Sequence, residues 1–442
     1  MKQKPTSNYH QPSFTTQYLE DLLNPSVPLY QLANRIPWEI FEEDFIKLYS
    51  DKGRTAKPIR LMVGLLILKQ VEDLSDEVVV ERWVQNPYYQ YFCGEKEFQW
   101  DFPCDPSDLV YFRKRIGAAG CEKILKVSIQ LHGRKALEKE ILVDTTVQEK
   151  NITFPTDSKL HRKVAEQCVK IAKAEGIQLR RSYKRTLPEL TKAQHNRTHP
   201  KRRKKARKAA KKLKTIAGAL IRELERKLTE EALQKYSAKL ALFDKVVQQK
   251  RNDKNKIYSL HEVEVSCIGK GKENKKYEFG QKASIAVTRN SGIVVSALSF
   301  KNAPYDGHTL PAVLEQVEKL TGKRPSDCTT DRGYRGNKTI GETNINIPGP
   351  PKAKASPYEK SKQRKRFRKR AGIEPIIGHL KSDFRMKRNY LKGLIGDEIN
   401  VLLAGAAFNF KKWLNEAVLA LIQLWFMIYN FHHQKSLVKS LP

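Results

Sequence analysis

Residues 140–146, EILVDTT, are a short apolar run with β-branched side chains. The run lies between long stretches of helical periodicity, and it predicts a buried β-strand that ends at Asp144. The next strand patterns lie at 258–269, 281–290 and 292–300, and the turn signal RNSG joins the last two. The sequence therefore predicts a sheet whose first strand is separated from the others by a long insertion.

The order of the elements after EILVDTT predicts the fold class. A helix at 308–322 precedes strands at 327–330 and 344–349, and helical periodicity continues from 360. Without the segment at about 150–257, three hairpin-linked strands are followed by alternating helices and strands. We predict an α/β fold: a ribonuclease-H-like mixed sheet with flanking helices, a large helical insertion after the first strand and an all-α N-terminal domain.

Shifts in periodicity and composition set the predicted domains. Residues 1–37 form a polar N-terminal arm, and residues 38–137 form the helical N-terminal domain. Residues 138–442 form the sheet domain, which includes a basic helical insertion at about 155–257 and C-terminal helices at about 396–432.

The charge balance indicates the class of partner. The 442 residues include 83 Lys and Arg against 48 Asp and Glu, a formal net charge of +35. Such an excess repels itself in a compact fold, so a polyanion, namely nucleic acid, is the expected partner. The most apolar run, AVLALIQLWFMIYNF (417–431), is shorter than the roughly 20 residues that span a bilayer. It predicts a buried helix and no membrane partner.

Cysteine usage and the N-terminus indicate the compartment. The six cysteines are scattered without a C-x-x-C pair, which favours buried free thiols in a reducing environment. The first residues, MKQKPTSNYHQPSF, contain no apolar signal segment. We expect a cytoplasmic protein.

Three acids stand out by their positions. Asp144 in LVDTT and Asp331 in TTDRGYRG follow strand patterns, where ligands of α/β sheets gather. Glu374 is the single acid among seven cations in RKRFRKRAGIEPIIGHLK (364–381). Each acid taken alone is also compatible with a turn, a helix cap or a salt bridge.

A continuous helix is predicted around Glu374. Because residues four and seven positions apart share a helix face, Arg370 and Lys381 lie within about 40° of Glu374, and Phe367 joins them. The neighbouring apolar stripe, predicted to dock on the sheet, consists of Ile373, Ile377 and Leu380.

The spacing F-x2-R-x3-E-x6-K from Phe367 to Lys381 resembles the Y-x2-R-x3-E-x6-K signature of bacterial insertion-sequence transposases with a DDE catalytic triad. One departure is visible, since Phe367 replaces the tyrosine and removes its hydroxyl. The likeness spans about residues 38–410, and six segments resemble the family in the same order. They are PIRLMVGLLILKQVEDLSDEVVVERWVQNPYYQYFCG, DTTVQEKNITFPTDSKL, KGKENKKYEFGQKASIA, PYDGHTL, TTDRGYRG and IEPIIGHLKSDFRMKRNYLKG.

The resemblance implies that Asp144, Asp331 and Glu374 form a catalytic triad that binds two Mg²⁺ ions, with Mn²⁺ as a substitute. Oxygen ligands suit such hard cations, and a pair of them suits phosphodiester displacement. Arg370 and Lys381 are expected to contact phosphates. The enzyme is expected to cut DNA at the ends of its insertion sequence and to join the freed 3′-OH to target DNA.

The implied partners are double-stranded DNA, as terminal inverted repeats and as target, and further copies of the chain in a homodimer or higher assembly. The helical N-terminal domain is expected to bind the DNA ends, and the protein to associate with the bacterial nucleoid. Two alternatives stay open at this point. One is a structure-selective DNA nuclease on the same fold, and the other is a non-catalytic DNA-binding protein derived from a transposase.

Further basic side chains are candidates for DNA contact. Lys282, in YEFGQK, and Arg332 and Arg335, beside Asp331, are the candidates near the acids, with plain surface charge as the alternative. The run KRRKKARKAAKKLK (201–214) has ten cations and no acid, and it predicts binding to the DNA backbone. Its candidate residues are Lys201, Arg202, Arg203, Lys204, Lys205, Arg207 and Lys208. We interpret other acids and histidines as caps, turns or packing residues: Asp157, Asp306, Asp327, Glu342, His308 and His379.

Overall fold

The computed structural model describes residues 18–439 except 54, 251, 270–274, 337 and 350–355, and no side chain is described for 424, 425 and 427–439. The first 17 residues of the predicted arm therefore lie outside the described residues. The contacts divide the chain into two compact units. One consists of Met1–Gln148 with Lys282–Pro442, and the other is Glu149–Gln281. The predicted domain boundaries stay a prediction.

The N-terminal part of the first unit is helical, as predicted. Its helices are α1 Leu19–Leu22, α2 Pro28–Arg35, α3 Trp38–Phe45, α4 Ile59–Val71, α5 Asp76–Gln85, α6 Pro87–Phe92 and α7 Pro106–Gln130. The first two lie inside the predicted arm, where the sequence has little periodicity. They form because Leu19 and Leu32 are each buried, with 1% exposure.

Helix α7 contains two segments with helical periodicity of apolar residues, 109–117 and the first part of 121–133. The junction is Gly117, whose φ of 59° and ψ of −163° lie outside the helical region. Only glycine adopts this conformation without strain, so the helix kinks there.

The strands confirm a mixed sheet. They are β1 Glu140–Lys150, β2 Ser266–Gly269, β3 Tyr277–Thr288, β4 Val294–Phe300, β5 Asp327–Thr329, β6 Thr339–Ile340, β7 Thr343–Asn346 and β8 Arg388–Asn389. In the first unit the order is β3-β1-β5-β7-β6, with β4 on β3 and β8 on β1. Strand β5 is parallel to β1 and β7, whereas β3 and β4 are antiparallel. This succession, with helices on the faces, is the ribonuclease-H-like arrangement.

Two strand predictions are wrong in extent. The first strand does not end at Asp144, because Thr146 and Val147 are β-branched and buried and carry β1 on to Lys150. The strand predicted at 258–269 keeps only β2. Its earlier part bends, and the Val265 N–H donates to the Glu262 carbonyl over 3.4 Å.

Four helices complete the described part of the first unit: α12 Asp306–Thr321, α13 Pro357–Arg370, α14 Ile373–Ser382 and α15 Gly393–Lys439. The apolar stripe beside Glu374 is confirmed, since Ile373 and Leu380 are buried and Ile377 is half-buried. Helix α15 packs against α4, α7 and β4.

The prediction that residues 417–431 form a buried helix is wrong for the described side chains of α15. Val418, Leu419, Ile422 and Phe426 are exposed, because the helix extends past the elements that cover its first half. Within the described residues, no helix is long and apolar enough to cross a membrane.

The second unit is the predicted helical insertion with its own core. Its helices are α8 Asp157–Ala174, α9 Thr186–Lys192, α10 Pro200–Lys227 and α11 Glu230–Gln248. On α10, Ala206, Ala209, Leu213 and Ile216 are buried at intervals of three and four residues. The lysines and arginines between them are exposed, so one apolar stripe holds a strongly basic helix in place.

Candidate active site

The parallel register of β1 and β5 brings two of the predicted acids together. Leu142 is paired with Thr329, so continuing the register by two residues places Asp144 level with Asp331. Neighbouring strands lie about 4.8 Å apart. Asp144 is half-buried within β1, and Asp331 follows the end of β5 at the start of a 3₁₀ turn, Arg332–Tyr334.

Glu374 lies just after a break between two helices. Helix α13 ends at Arg370 and α14 begins at Ile373, so the predicted continuous helix is wrong. The break follows from Pro375, which has no N–H for the Ala371 carbonyl and whose ring would crowd that carbonyl. Instead, the Glu374 N–H donates to the Ala371 carbonyl over 3.1 Å. Glu374 therefore lies in the first turn of α14 with a side chain that is 62% exposed.

The guanidinium of Arg370 connects two of the acids. Its Nη2 donates to Asp144 Oδ2 over 3.4 Å and to Glu374 Oε1 over 3.1 Å. The predicted proximity of Arg370 and Glu374 is confirmed despite the helix break. Phe367, on α13, and Lys381, on α14, are half-buried.

Asp144 has an unusual proton affinity. Burial raises the pKa of its carboxyl to about 6, Arg370 opposes that shift, and the negative charges of Asp331 and Glu374 add to it. A carboxylate that is poorly solvated and close to two others gains most from an added cation.

A fourth carboxylate, that of Asp306, lies beside the predicted triad. Its Oδ1 accepts hydrogen bonds from Lys282 Nζ, over 2.7 Å, and from Thr145 Oγ1, over 2.8 Å. Lys282 also donates to the Pro304 carbonyl over 2.6 Å. The interpretation of Asp306 as a helix-cap residue is therefore wrong, since its side chain binds across to β1 and β3 instead of capping α12. Lys282 points at this acid, and its predicted contact with DNA stays a prediction.

Gly333 keeps Asp331 and Asp306 close together. Asp331 Oδ1 accepts a hydrogen bond from the Gly333 N–H over 2.7 Å. A Cβ atom on Gly333 would lie 2.9 Å from Asp331 Oδ1 and 3.1 Å from Asp306 Oδ2. The two carboxylates thus converge on a space that any larger residue would fill.

The hydroxyl of Tyr334 is buried beside the same acids. Burial raises the pKa of this tyrosine well above 10, and Asp144 and Asp306 raise it further. A neighbouring hydroxyl, on Ser284, opposes the shift, but neither hydroxyl makes a hydrogen bond of normal geometry to a described atom. Tyr334 therefore keeps its proton in the electrostatic field of these carboxylates.

The remaining predicted DNA-binding residues lie on two surfaces. Arg332 and Arg335 are exposed in the segment directly after Asp331. The seven basic residues of the insertion are all exposed on α10, in the second unit. They are Lys201, Arg202, Arg203, Lys204, Lys205, Arg207 and Lys208.

The donor set fits a hard divalent cation, since it consists of carboxylates grouped around an open space at Gly333. Within the described part of the chain, however, no three His, Cys, Asp or Glu side chains are already close enough to hold a metal ion. Arg370 and Lys282 supply positive charge to these carboxylates instead. The acids must draw together, and these cations must shift, before a metal ion is bound.

Sequence reasoning missed Asp306, Gly333 and Tyr334 as members of this cluster. Gly333 and Tyr334 lie in the motif TTDRGYRG, and Asp306 lies in PYDGHTL. The two motifs could have indicated these residues. They are far from EILVDTT in the sequence, however, and only the fold brings them close to it.

Comparisons with known proteins cover both ends of the chain. Residues 17–115 match the family model of a transposase domain (DUF772), and residues 245–410 match that of a transposase DDE domain. Asp331 and Glu374 lie inside the second match, whereas Asp144 lies outside both. The chain is 48% identical over 172 residues to an uncharacterised protein, ORF8 in the nfe locus of Rhizobium meliloti. That stretch is 38% of this chain and 83% of the relative. No solved structure matches the chain.

Proposed function

Because this chain belongs to the insertion-sequence transposases with a DDE domain, we propose that it cuts DNA at the ends of its element and joins the freed 3′-OH to target DNA. Asp144, Asp331 and Glu374 are the proposed catalytic acids. The observation that carries the proposal is that the Arg370 guanidinium joins Asp144 to Glu374, while the charges of Asp331 and Glu374 both act on the Asp144 carboxyl.

The proposed cofactor is a pair of Mg²⁺ ions, for which Mn²⁺ substitutes, held by the three acids. When bound, such ions activate the attacking oxygen and stabilise the leaving oxygen of a phosphodiester. Asp144 would be one ligand, and its carboxylate is poorly solvated because its side chain is only 17% exposed. Because the pKa of Asp144 is raised to about 6, protons compete with a cation for this acid below about pH 6.

Basic side chains around the acids have proposed roles in holding DNA. Arg370, released from Asp144 and Glu374 when cations bind, is placed to donate to a phosphate. Lys381, Arg332 and Arg335 extend the positive surface on either side of the acids. Lys282 donates hydrogen bonds to Asp306 and to the Pro304 carbonyl. We therefore propose that its first role is to position Asp306 and that direct contact with DNA is secondary.

The insertion is proposed to bind the DNA backbone. The exposed cations of α10 have no acid among them over 201–214, and neutralising phosphates releases counterions. Double-stranded terminal repeats and target DNA are the proposed partners, with two or more copies of the chain in the active assembly on the bacterial nucleoid.

A strand-transfer assay with labelled element ends and target DNA tests the proposal. Joined product in the presence of Mg²⁺ supports a transposase, hydrolysis alone supports the rival nuclease, and binding without either supports a non-catalytic protein. Asp144→Asn is expected to abolish both reactions while keeping DNA affinity. Asp327→Asn, at the opposite end of β5, is the matched control and is expected to keep them.

A further inference from the structure

The carboxylate of Asp306 is held by more hydrogen bonds than an acid at the start of a helix needs for stability. It is the first residue of α12, where a negative charge is favourable without any partner. Its Oδ1 nevertheless accepts hydrogen bonds from both Lys282 on β3 and Thr145 on β1. Two donors on one oxygen fix the orientation of the carboxylate.

The other oxygen of Asp306 faces the catalytic acids. Its Oδ2 and Asp331 Oδ1 both approach the position that a Gly333 side chain would take, at 3.1 and 2.9 Å. Metal-binding carboxylates are commonly held in this manner, with outer hydrogen bonds that orient the ligating oxygen. The arrangement leaves one Asp306 oxygen directed to the cluster.

Tyr334 supplies an independent observation. Its side chain is 1% exposed, and its hydroxyl has no hydrogen-bond partner of normal geometry among the described residues. The charges that act on this hydroxyl come from Asp144, Asp306 and Asp331. A ligand bound at these carboxylates would complete the hydrogen bonding of this buried hydroxyl, which lies in their electrostatic field.

We propose that Asp306 is a fourth carboxylate ligand for a divalent cation, which it shares with Asp331. In the absence of the cation, the ammonium of Lys282 neutralises the charge of Asp306. The inference rests on the proposed function, because it concerns the same cation site. It adds an acid from α12 to the three from β1, the end of β5 and α14.

The role of Lys282 gives the proposal a distinctive consequence. As an ion-pair partner, the ammonium competes with a cation for Asp306. Removing the ammonium is therefore expected to favour cation binding, whereas removing the carboxylate is expected to oppose it. A purely structural ion pair predicts instead that both removals have the same effect.

The test is titration of the full chain with Mn²⁺, without DNA, by calorimetry and by the rise in melting temperature. Asp306→Asn is expected to weaken Mn²⁺ binding by about tenfold and to reduce the Mn²⁺-induced rise. Lys282→Met is expected to strengthen binding by a fewfold. The Mn²⁺-induced rise separates ligation from folding, because a structural defect lowers the melting temperature equally with and without the ion.

Asp157→Asn is the matched control, since Asp157 is likewise the first residue of a helix, α8, and forms an ion pair with Lys256 at 2.9 Å. It is expected to leave Mn²⁺ binding unchanged. Unchanged binding in Asp306→Asn, or equal weakening in Asp306→Asn and Lys282→Met, would overturn the proposal. Asp144→Asn and Asp331→Asn identify the source of a failure: if they weaken binding and Asp306→Asn does not, the proposed function stands and only the fourth ligand is ruled out.

Discussion

Arg370 and Asp144 are 226 positions apart in the chain, and the guanidinium of the first lies 3.4 Å from the carboxylate of the second. Both side chains are largely buried, with 19% and 17% exposure. The pair therefore forms in a place where water contributes little to solvating either charge. Arg370 therefore stabilises the charged form of Asp144 against the rise in pKa that burial causes.

Arg370→Gln is expected to lower the free energy of unfolding of the metal-free protein by about 1–2 kcal/mol at pH 8. Without the guanidinium, the pKa of Asp144 rises further above about 6, so the folded state binds more protons than the unfolded state. Stability then falls as the pH rises through this window. Urea unfolding at pH 8 and at pH 4 measures the effect.

The destabilisation should fade below pH 6 and vanish near pH 4, where the Asp144 carboxyl is protonated in the folded state of both the parent and the variant. Arg368→Gln, an exposed arginine on the same helix, is the control and should change stability little at either pH. A destabilisation of equal size at both pH values would show that Arg370 acts by packing and not by charge.

Glu374→Gln is expected to separate activity from stability. The side chain is 62% exposed, so the melting temperature should stay within about 2 °C of that of the parent protein. Cleavage of an element end should fall by on the order of 100-fold or more, since the substitution removes a proposed metal ligand. Cleavage within about threefold of the parent rate would remove Glu374 from the proposed triad.

Gly333→Ala is expected to reduce cleavage without unfolding the protein. The added methyl would lie 2.9 Å from Asp331 Oδ1 and 3.1 Å from Asp306 Oδ2, so both carboxylates must move. Gly378→Ala, where a Cβ meets nothing within 4 Å, is the matched control and should keep full activity. Equal activity of the two variants in the cleavage assay would show that the space at Gly333 is not needed.

Gly117→Ala is expected to destabilise the first unit by about 1 kcal/mol or more. A Cβ at this position meets no atom within 4 Å, so the effect comes from the backbone, whose φ is 59°. Gly378→Ala, in the helix α14, should have the opposite sign, because alanine is the better helix former. The melting temperatures of the two variants measure this difference. A higher melting temperature for Gly117→Ala would contradict the need for a glycine at the kink.

We expect weaker DNA binding when four cations of α10 are replaced together by glutamine: Lys201, Arg202, Lys204 and Lys205. The DNA affinity of this variant should also depend less on the salt concentration. For every phosphate that these side chains no longer neutralise, the slope of log K against log salt should become shallower by about 0.9. The measurement is fluorescence anisotropy with labelled duplex DNA over a range of salt. The same change at Lys239 and Lys245 of α11 is the control, and an unchanged slope in the α10 variant would argue against backbone binding by that helix.

The sequence determined the succession of most elements and supplied the candidate acids of the site. Periodicity of apolar residues predicted the helical N-terminal region and the succession of strands and helices that makes the mixed sheet. These features depend on neighbours within a few positions, which the sequence records directly. Asp144, Asp331 and Glu374 were found through motifs, since the types of the side chains and their spacing were already typical of DDE transposases.

Only the tertiary structure decided which side chains act on one another. The parallel register of β1 and β5 places Asp144 level with Asp331, and the break at Pro375 places Glu374 in the first turn of a separate helix. The sequence predicts a cap or turn residue at Asp306, yet the packing of α12 on the sheet brings its carboxylate to Lys282. Local patterns do not record distances across a fold, because register and helix packing are set by the whole core at once.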